Sequence, residues 1–418
     1  MTLAPVPDTL GRPTDNDDPA AYRSSHLQLV RELDDGPTAP AGANAPGGIV
    51  VPAYRPFEQE PGLKLAARLA VDRNWELMVA CSGQARAADF PHEVSNQLGD
   101  RLTVRDVDAR SAPGATLSSM RDPLVRLERS NDAAAKRNLG IAFAVTAGWQ
   151  YLLFLDDDVT VAEAGPTLDQ DGLQKAVAAL ATTPELCAVS WTVTGFPDNS
   201  VVGHARRLAG QKQEIFVGSA ALLVRCGPDL PFFPGIYNED WMFLIALAQG
   251  SLRHRESIGR GGTVRQLAYQ PFVRARAMSE EPGDIIAEGL MNLLEDKGPA
   301  LWATAGPGYW RRAMCRRAAL LEGLIKTFDS GVRGEEFARA RAALHAALRV
   351  HGGTNPEALH RYVQGWRSDL PKWRSDLRSL SANSTPTPPI DSRRNAAAYS
   401  SPRVQVVAGP DSGRGIAF

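Results

Sequence analysis

Tyr151-Leu-Leu-Phe-Leu155 is five apolar residues in a row, and it runs straight into Asp156-Asp-Asp158. A short unbroken apolar run fits a strand buried on both faces. Three adjacent carboxylates at the end of such a strand raise one another's pKa values unless a positive group satisfies them. A divalent cation does so, and hard oxygen ligands on a loop suit Mg2+ or Mn2+, which take one or two protein carboxylates and fill their shell with phosphates. The alternative is an acid-rich helix N-terminus, although capping needs only one or two acids.

The same alternation of strand and helix extends to both sides. Upstream, Gly48 to Tyr54 and Glu76 to Cys81 read as strands, as does Arg101 to Val107. Leu63 to Val71 and Ser130 to Thr146 have helical spacing, the latter with Ser130 or Asn131 as its cap. Downstream come a helix over Leu173 to Ala181, strands over Ala188 to Val193 and Ile215 to Val224, and a helix over Asp240 to Ala248. Repeated βα units imply an α/β fold with a doubly wound, mostly parallel sheet, whose ligands bind beyond the carboxyl ends of the strands. From about Asp284 helical patterns take over.

Four segments result: 1–46, Pro-, Asp- and Gly-rich and expected to be disordered apart from a short helix around His26 to Leu33; 47–283, the α/β domain; 284–380, a helical C-terminal extension; and 381–418, a second disordered tail. The extension repeats Trp366-Arg-Ser-Asp-Leu370 as Trp373-Arg-Ser-Asp-Leu377. On one continuous helix the two tryptophans share a face that can pack onto the α/β domain or meet a lipid or partner surface, unless Pro371 breaks the helix.

Composition narrows the class of function. The formal net charge is −1 over 418 residues, so no whole-chain field attracts nucleic acid or an anionic membrane. Cys81, Cys187, Cys226 and Cys315 are scattered with no CxxC pair, which argues against a zinc site or disulfide framework and for a reducing, cytoplasmic home. No apolar run approaches the length of a membrane helix, and the N-terminus lacks the pattern of a signal peptide. Peripheral membrane contact stays open.

Ala135-Lys-Arg-Asn-Leu-Gly-Ile141, followed by Tyr151 to Val159, resembles the central signature of the family 2 glycosyltransferases, in which an Arg-Asn pair on a helix precedes a strand ending in a DxD-type motif. Ile49-Val-Val-Pro-Ala-Tyr-Arg55 resembles that family's first strand. Phe232-Phe-Pro-Gly-Ile-Tyr-Asn-Glu-Asp-Trp241 resembles its acidic motif at a helix start beside the acceptor. The likeness covers about residues 48 to 250. It implies a GT-A type nucleotide-sugar-binding domain that moves a sugar from a nucleotide-diphosphate donor to an acceptor hydroxyl, with inversion. Two features depart from the pattern: the second strand ends in Cys81-Ser82-Gly83 where an acidic residue reads the base, and no QxxRW motif is present, which argues against a processive synthase.

Carried over residue by residue, the resemblance makes Asp156 and Asp158 ligands of Mn2+ or Mg2+. A histidine is often a third ligand in GT-A enzymes, and of the central pair His254 is better placed than His204, with a solvated or core histidine as the competing reading for either. Pro52, Ala53, Tyr54, Arg55, Arg137, Asn138, Asp156 and Asp157 would line the donor. Asp240 would be the general base, with Glu239 orienting it or binding the acceptor. The competing readings are plain: Asn238 to Asp240 as a helix cap, Arg137 and Asn138 as a lock between helix and sheet, Tyr54 as core. Gly259, Gly261 and Gly262 can form a lid or an ordinary loop, and Arg274 and Arg276 can bind an anionic acceptor or form a solvated face.

Two other functions fit parts of the sequence. Asp156-Asp-Asp-Val-Thr160 matches the DxDxT motif of haloacid-dehalogenase-like phosphatases, with Lys212 and Glu239-Asp240 as the later partners such an enzyme needs. A scaffold that binds nucleotide sugars without turnover is the non-enzymatic reading.

Overall fold

The computed structural model describes residues 26–33, 45–124, 132–213, 215–249, 256–267, 270–297, 305–330 and 334–383. The expected caps Ser130 and Asn131, the ligand candidate His254 and most of the two terminal segments lie outside these residues.

Among the described residues one nine-stranded sheet organises the fold. The strands are β1 (Val30–Glu32), β2 (Gly47–Ala53), β3 (Glu76–Cys81), β4 (Leu102–Asp106), β5 (Tyr151–Leu155), β6 (Val159–Val161), β7 (Ala188–Val193), β8 (Ala221–Arg225) and β9 (Ile258–Gln266). They lie in the order β4-β3-β2-β5-β8-β7-β9-β1, with β6 attached to β9. Pairing is parallel except at β8, antiparallel to both β5 and β7, and at β6, antiparallel to β9. The α/β class with a mostly parallel sheet is therefore as the strand pattern implies.

Three regions differ from expectation. The strand expected over Ile215 to Val224 begins only at Ala221, as β8. Where a helix is expected around His26, the chain makes a turn and then β1, which pairs with β9 along the sheet edge. The glycines expected in a lid or loop lie inside β9. They are there for clearance: a Cβ on Gly259 would come within 2.6 Å of Leu33, one on Gly261 within 2.6 Å of Trp191, and one on Gly262 within 2.2 Å of the Pro166 carbonyl. Glycine weakens a strand but permits this close approach.

Helices cover both faces. They are α1 (Pro61–Arg73), α2 (His92–Leu98), α3 (Ala133–Thr146), α4 (Gln170–Thr182), α5 (Val201–Leu208) and α6 (Glu239–Gln249). β5 is buried along its whole length, and its alternate residues feed two separate cores: Leu152 and Phe154 on one face, Leu153 and Leu155 on the other. The helical extension comprises α7 (Arg274–Lys297), α8 (Pro307–Ser330), α9 (Glu335–Gly353) and α10 (Pro356–Asn383). It starts ten residues earlier than the strand signals suggest. α8 and α9 share a third core with α5.

Pro371 does not break α10. Trp366 and Trp373 are both buried in the core that α3 and α6 share, and the Trp373 indole donates to the Leu230 carbonyl at 3.0 Å. The two copies of the repeat are buried alike at Trp and Leu and differ at the aspartate. Asp369 is buried and accepts from the Ser119 amide at 2.8 Å, whereas Asp376 is exposed.

Candidate active site

The carboxyl ends of β2 and β5 meet at one place, as a parallel sheet requires. Because β8 runs antiparallel to β5, its entry segment 218–220 arrives there too, and the Asp156 amide donates to the Ala220 carbonyl at 2.9 Å. Gly62 at the start of α1 allows the Asp loop to sit against the helix, since a Cβ there would lie 2.1 Å from the Asp156 carbonyl. The Gly62 amide donates to the Asp157 carbonyl at 2.9 Å.

Asp156 pairs with one arginine, and Asp157 and Asp158 share another. Asp156 accepts from Arg137 Nη2 at 2.7 Å. Asp157 accepts from the Tyr54 amide at 2.9 Å and from Arg55 Nη1 at 2.7 Å. Asp158 accepts from Gln266 Nε2 at 3.0 Å and from Arg55 Nη2 at 3.2 Å. Burial pushes Asp158 up to about 6, and the neighbouring Asp156 and Asp157 push the same way. Burial also raises Asp156, against the pull of Arg137.

Arg137 is the hinge of the site. Its other nitrogen, Nη1, donates to Glu239 Oε1 at 2.6 Å. Burial disfavours its charge, but Asp156, Glu239 and Asp240 together outweigh that and hold it firmly protonated. Burial raises Glu239 to about 7, with Arg137 opposing and Asp240 reinforcing. The Asp240 carboxylate is fixed by backbone amides, accepting from Ser219 N at 2.9 Å and from Trp241 N at 2.9 Å. Gly218 leaves it room; a Cβ there would stand 2.5 Å from Asp240 Oδ2.

Two cavities open here. An outer cleft of about 370 Å³ is lined by Pro52, Tyr54, Arg55, Asp132, Lys136 and the Asp triplet. An inner cavity of about 200 Å³ is lined by Glu239, Asp240, Ser219, Tyr237 and aromatic neighbours. Arg137, Asp156 and Gln266 line both. Tyr54 is 49% exposed, so it faces the cleft and is not core. Its ring lies on Gly83 and 5.5 Å from Lys136 Nζ.

Not every expected residue reaches the cavities. Asn138 is fully buried and clamps the loop before α6, giving 2.9 Å to the Phe233 carbonyl and accepting from the Phe233 amide at 2.8 Å. It locks the helix to that loop instead of facing a donor. Ala53 is also buried, and its carbonyl accepts from Lys136 Nζ at 2.6 Å. Arg276 pairs with Glu280 on its own helix, and Arg274 is exposed; neither lines the inner cavity. His204 contacts Asn199 Oδ1 at 3.0 Å on α5, away from the triplet's hydrogen bonds.

Sequence reading missed Ser219, Gln266 and Glu60. Glu60 is buried beside Asp157, and burial followed by that neighbour pushes it up to about 8. Gln266 and Ser219 sit in segments with no motif, so only the sheet brings them to the site.

Among the described residues no three His, Cys, Asp or Glu side chains converge as a metal cage. The donor set still fits a hard cation. Asp156 and Asp158 both line the outer cleft and offer hard carboxylate oxygens there, each with an arginine partner in the metal-free protein.

No family model matches the chain, and no curated protein matches it. Among solved structures it is similar to glucosyl-3-phosphoglycerate synthase from Mycobacterium tuberculosis in complex with Mn2+, UDP and phosphoglyceric acid, at 16% identity and a TM-score of 0.36, over 58% of this chain and 80% of that one. A further structure of the M. tuberculosis enzyme gives 14% and 0.38, over 65% and 88%. A mannosyltransferase from Pyrobaculum calidifontis in complex with GDP-Man and Mn2+ gives 14% and 0.35, over 80% and 85%. Likeness at this level does not extend to residues or substrates. Among the described residues no helix is long and apolar enough to cross a membrane.

Proposed function

We propose that the chain is a metal-dependent glycosyltransferase of the GT-A type. The observation that carries this reading is the pair of cavities joined through Asp156 and Arg137, one rich in carboxylates and one holding the Glu239-Asp240 pair. Two substrates need two adjoining compartments, and a transferase must hold both at once.

The outer cleft takes the nucleotide diphosphate. Asp156 and Asp158 would hold Mn2+ or Mg2+, and the cation would supply Lewis-acid stabilisation of a leaving phosphate. Arg55 is only half-buried and stands at the cleft wall to meet phosphate oxygens. Tyr54 offers an exposed ring for the base. In the inner cavity Asp240 takes the proton from the acceptor hydroxyl as it attacks, and Glu239 orients Arg137 between the two compartments. Attack from the side opposite the leaving group inverts the anomeric configuration.

The phosphatase reading is weaker. Its nucleophile would be Asp156, which is tied to Arg137, and its lysine would be Lys212, which is exposed and lines neither cavity. The test is product analysis by mass spectrometry with a panel of nucleotide-diphosphate sugars and hydroxyl acceptors, with Mn2+ and with chelator. Metal-dependent transfer is expected. Hydrolysis of p-nitrophenyl phosphate without any transfer would move the assignment to the phosphatase. Metal-independent nucleotide-sugar binding with no turnover would move it to a scaffold.

A further inference from the structure

Helix α7 touches the turn that launches the acidic pair. Gly283 permits this contact, because a Cβ there would lie 2.2 Å from the Tyr237 carbonyl. One residue further on, Asp284 Oδ1 accepts from Asn238 Nδ2 at 2.8 Å. Asn238 has a left-handed backbone, with φ of 60°, and its carbonyl accepts from the Met242 amide at 3.2 Å. It is thus the residue from which α6 starts, directly before Glu239 and Asp240. Asparagine tolerates this conformation better than most residues, but a tolerance does not select it.

Asp284 is itself anchored. It pairs with Arg317 of α8, which is fully buried and also donates to Glu281 and Glu288 at 2.9 Å each. His351 of α9 approaches Glu281 at 3.1 Å. Three helices of the extension therefore meet in one buried cluster, in which Asp284 pairs with Arg317 and grips Asn238 while His351 adjoins Glu281. Breaking one partner out of such a buried cluster is costly, so the cluster has little freedom to shift.

We propose that Asp284 is a positioning residue: through Asn238 it fixes the turn that holds Asp240 against the inner cavity, which makes the C-terminal helices part of the frame of the transfer site. This rests on the reading of Asp240 given above. Misplacing a reacting group by about 1 Å costs on the order of 10²-fold in rate, so a turn fixed this way has consequences for turnover.

The experiment uses the full chain with Asn238→Asp, Asp284→Asn and the double exchange. Asn238→Asp sets two carboxylates against each other, whereas the double exchange restores a donor facing an acceptor. kcat is expected to fall about tenfold or more in Asn238→Asp, with nucleotide-diphosphate affinity unchanged, and to recover in the double exchange. Hydrogen exchange at the Ser219 and Trp241 amides, both held by Asp240, reports the pose without any turnover. It should quicken in Asn238→Asp and recover with the exchange. Unchanged protection in Asn238→Asp overturns the inference, as does a double exchange that recovers melting temperature but neither kcat nor protection. Wild-type protein that transfers no sugar sinks the transferase reading, and the exchange rates still decide the role of Asp284.

Discussion

Asp156 Oδ1 and Arg137 Nη2 meet at 2.7 Å in the wall that the two cavities share. The guanidinium is all but buried, and it also neutralises Glu239. Replacing Arg137 by Ala would leave the buried Glu239 and the mostly buried Asp156 without the cation they share. Loss of one partner from a buried pair destabilises by about 3–5 kcal/mol, so a strongly lowered melting temperature is expected. Arg137→Lys keeps the charge but not the fork that reaches both acids. It should retain more of the stability than of the transfer rate, which paired melting and kinetic measurements would reveal.

Asp158 is the second proposed ligand. Asp158→Ala should weaken Mn2+-dependent binding of a nucleotide diphosphate by about 100-fold or more, since even residues behind a metal's ligands contribute about 10–100-fold. Because that carboxylate is held above its ordinary pKa in the metal-free protein, its removal should leave the fold intact. Titration calorimetry with and without Mn2+ measures this. Undiminished metal-dependent affinity would remove Asp158 from the site.

Asp240 can be tested apart from helix capping. Asp240→Asn keeps one acceptor oxygen, enough for either the Ser219 or the Trp241 amide, and is a poor base. If it serves as base, kcat falls by about 10²–10⁴-fold while donor affinity holds. A capping role alone predicts a loss of about 1 kcal/mol or less with turnover intact.

Glu280 gives a pH dependence away from the triplet. Its Oε2 accepts from the Val201 amide at 2.7 Å where α5 begins, and Arg276 pairs with its other oxygen. Burial raises it from an ordinary 4.5 to about 7, although Arg276 opposes this. Between those values the folded state holds a proton that the unfolded state has released. The stability from this group is full below about 4.5 and is lost as pH rises through about 7. Glu280→Gln keeps an acceptor for Val201 and cannot titrate. Its melting temperature should therefore fall less than wild type between pH 5 and 8; parallel curves would refute the assignment.

The reach of sequence reasoning follows from the range of each interaction. The βα alternation, the buried β5 and the helix over 133–146 are local patterns, and they recur in the structure to within a few residues. Two local readings failed for a non-local reason. The glycines of β9 look like a loop because their value lies in clearance for Leu33, Trp191 and Pro166, none of which is near them in sequence. The segment at His26 looks helical, yet Val30 to Glu32 takes its hydrogen bonds from a strand more than 200 residues away.

The order of motifs along the chain determined by itself that carboxylates would gather at strand ends beside an Arg-Asn helix and a Glu-Asp turn. Apolar periodicity and the cost of unpaired charge are properties of neighbouring residues, so they are written in the sequence. Only the tertiary structure decided which acid meets which base. Arg137 takes Asp156 and Glu239, Asn138 is withdrawn to hold Phe233, and Asp284 reaches Asn238 from a helix that crosses the C-terminal bound the strand pattern sets for the α/β domain. Hydrogen bonds act over about 3 Å, and contacts between residues 19 to 102 positions apart exist only once the sheet has placed their backbones.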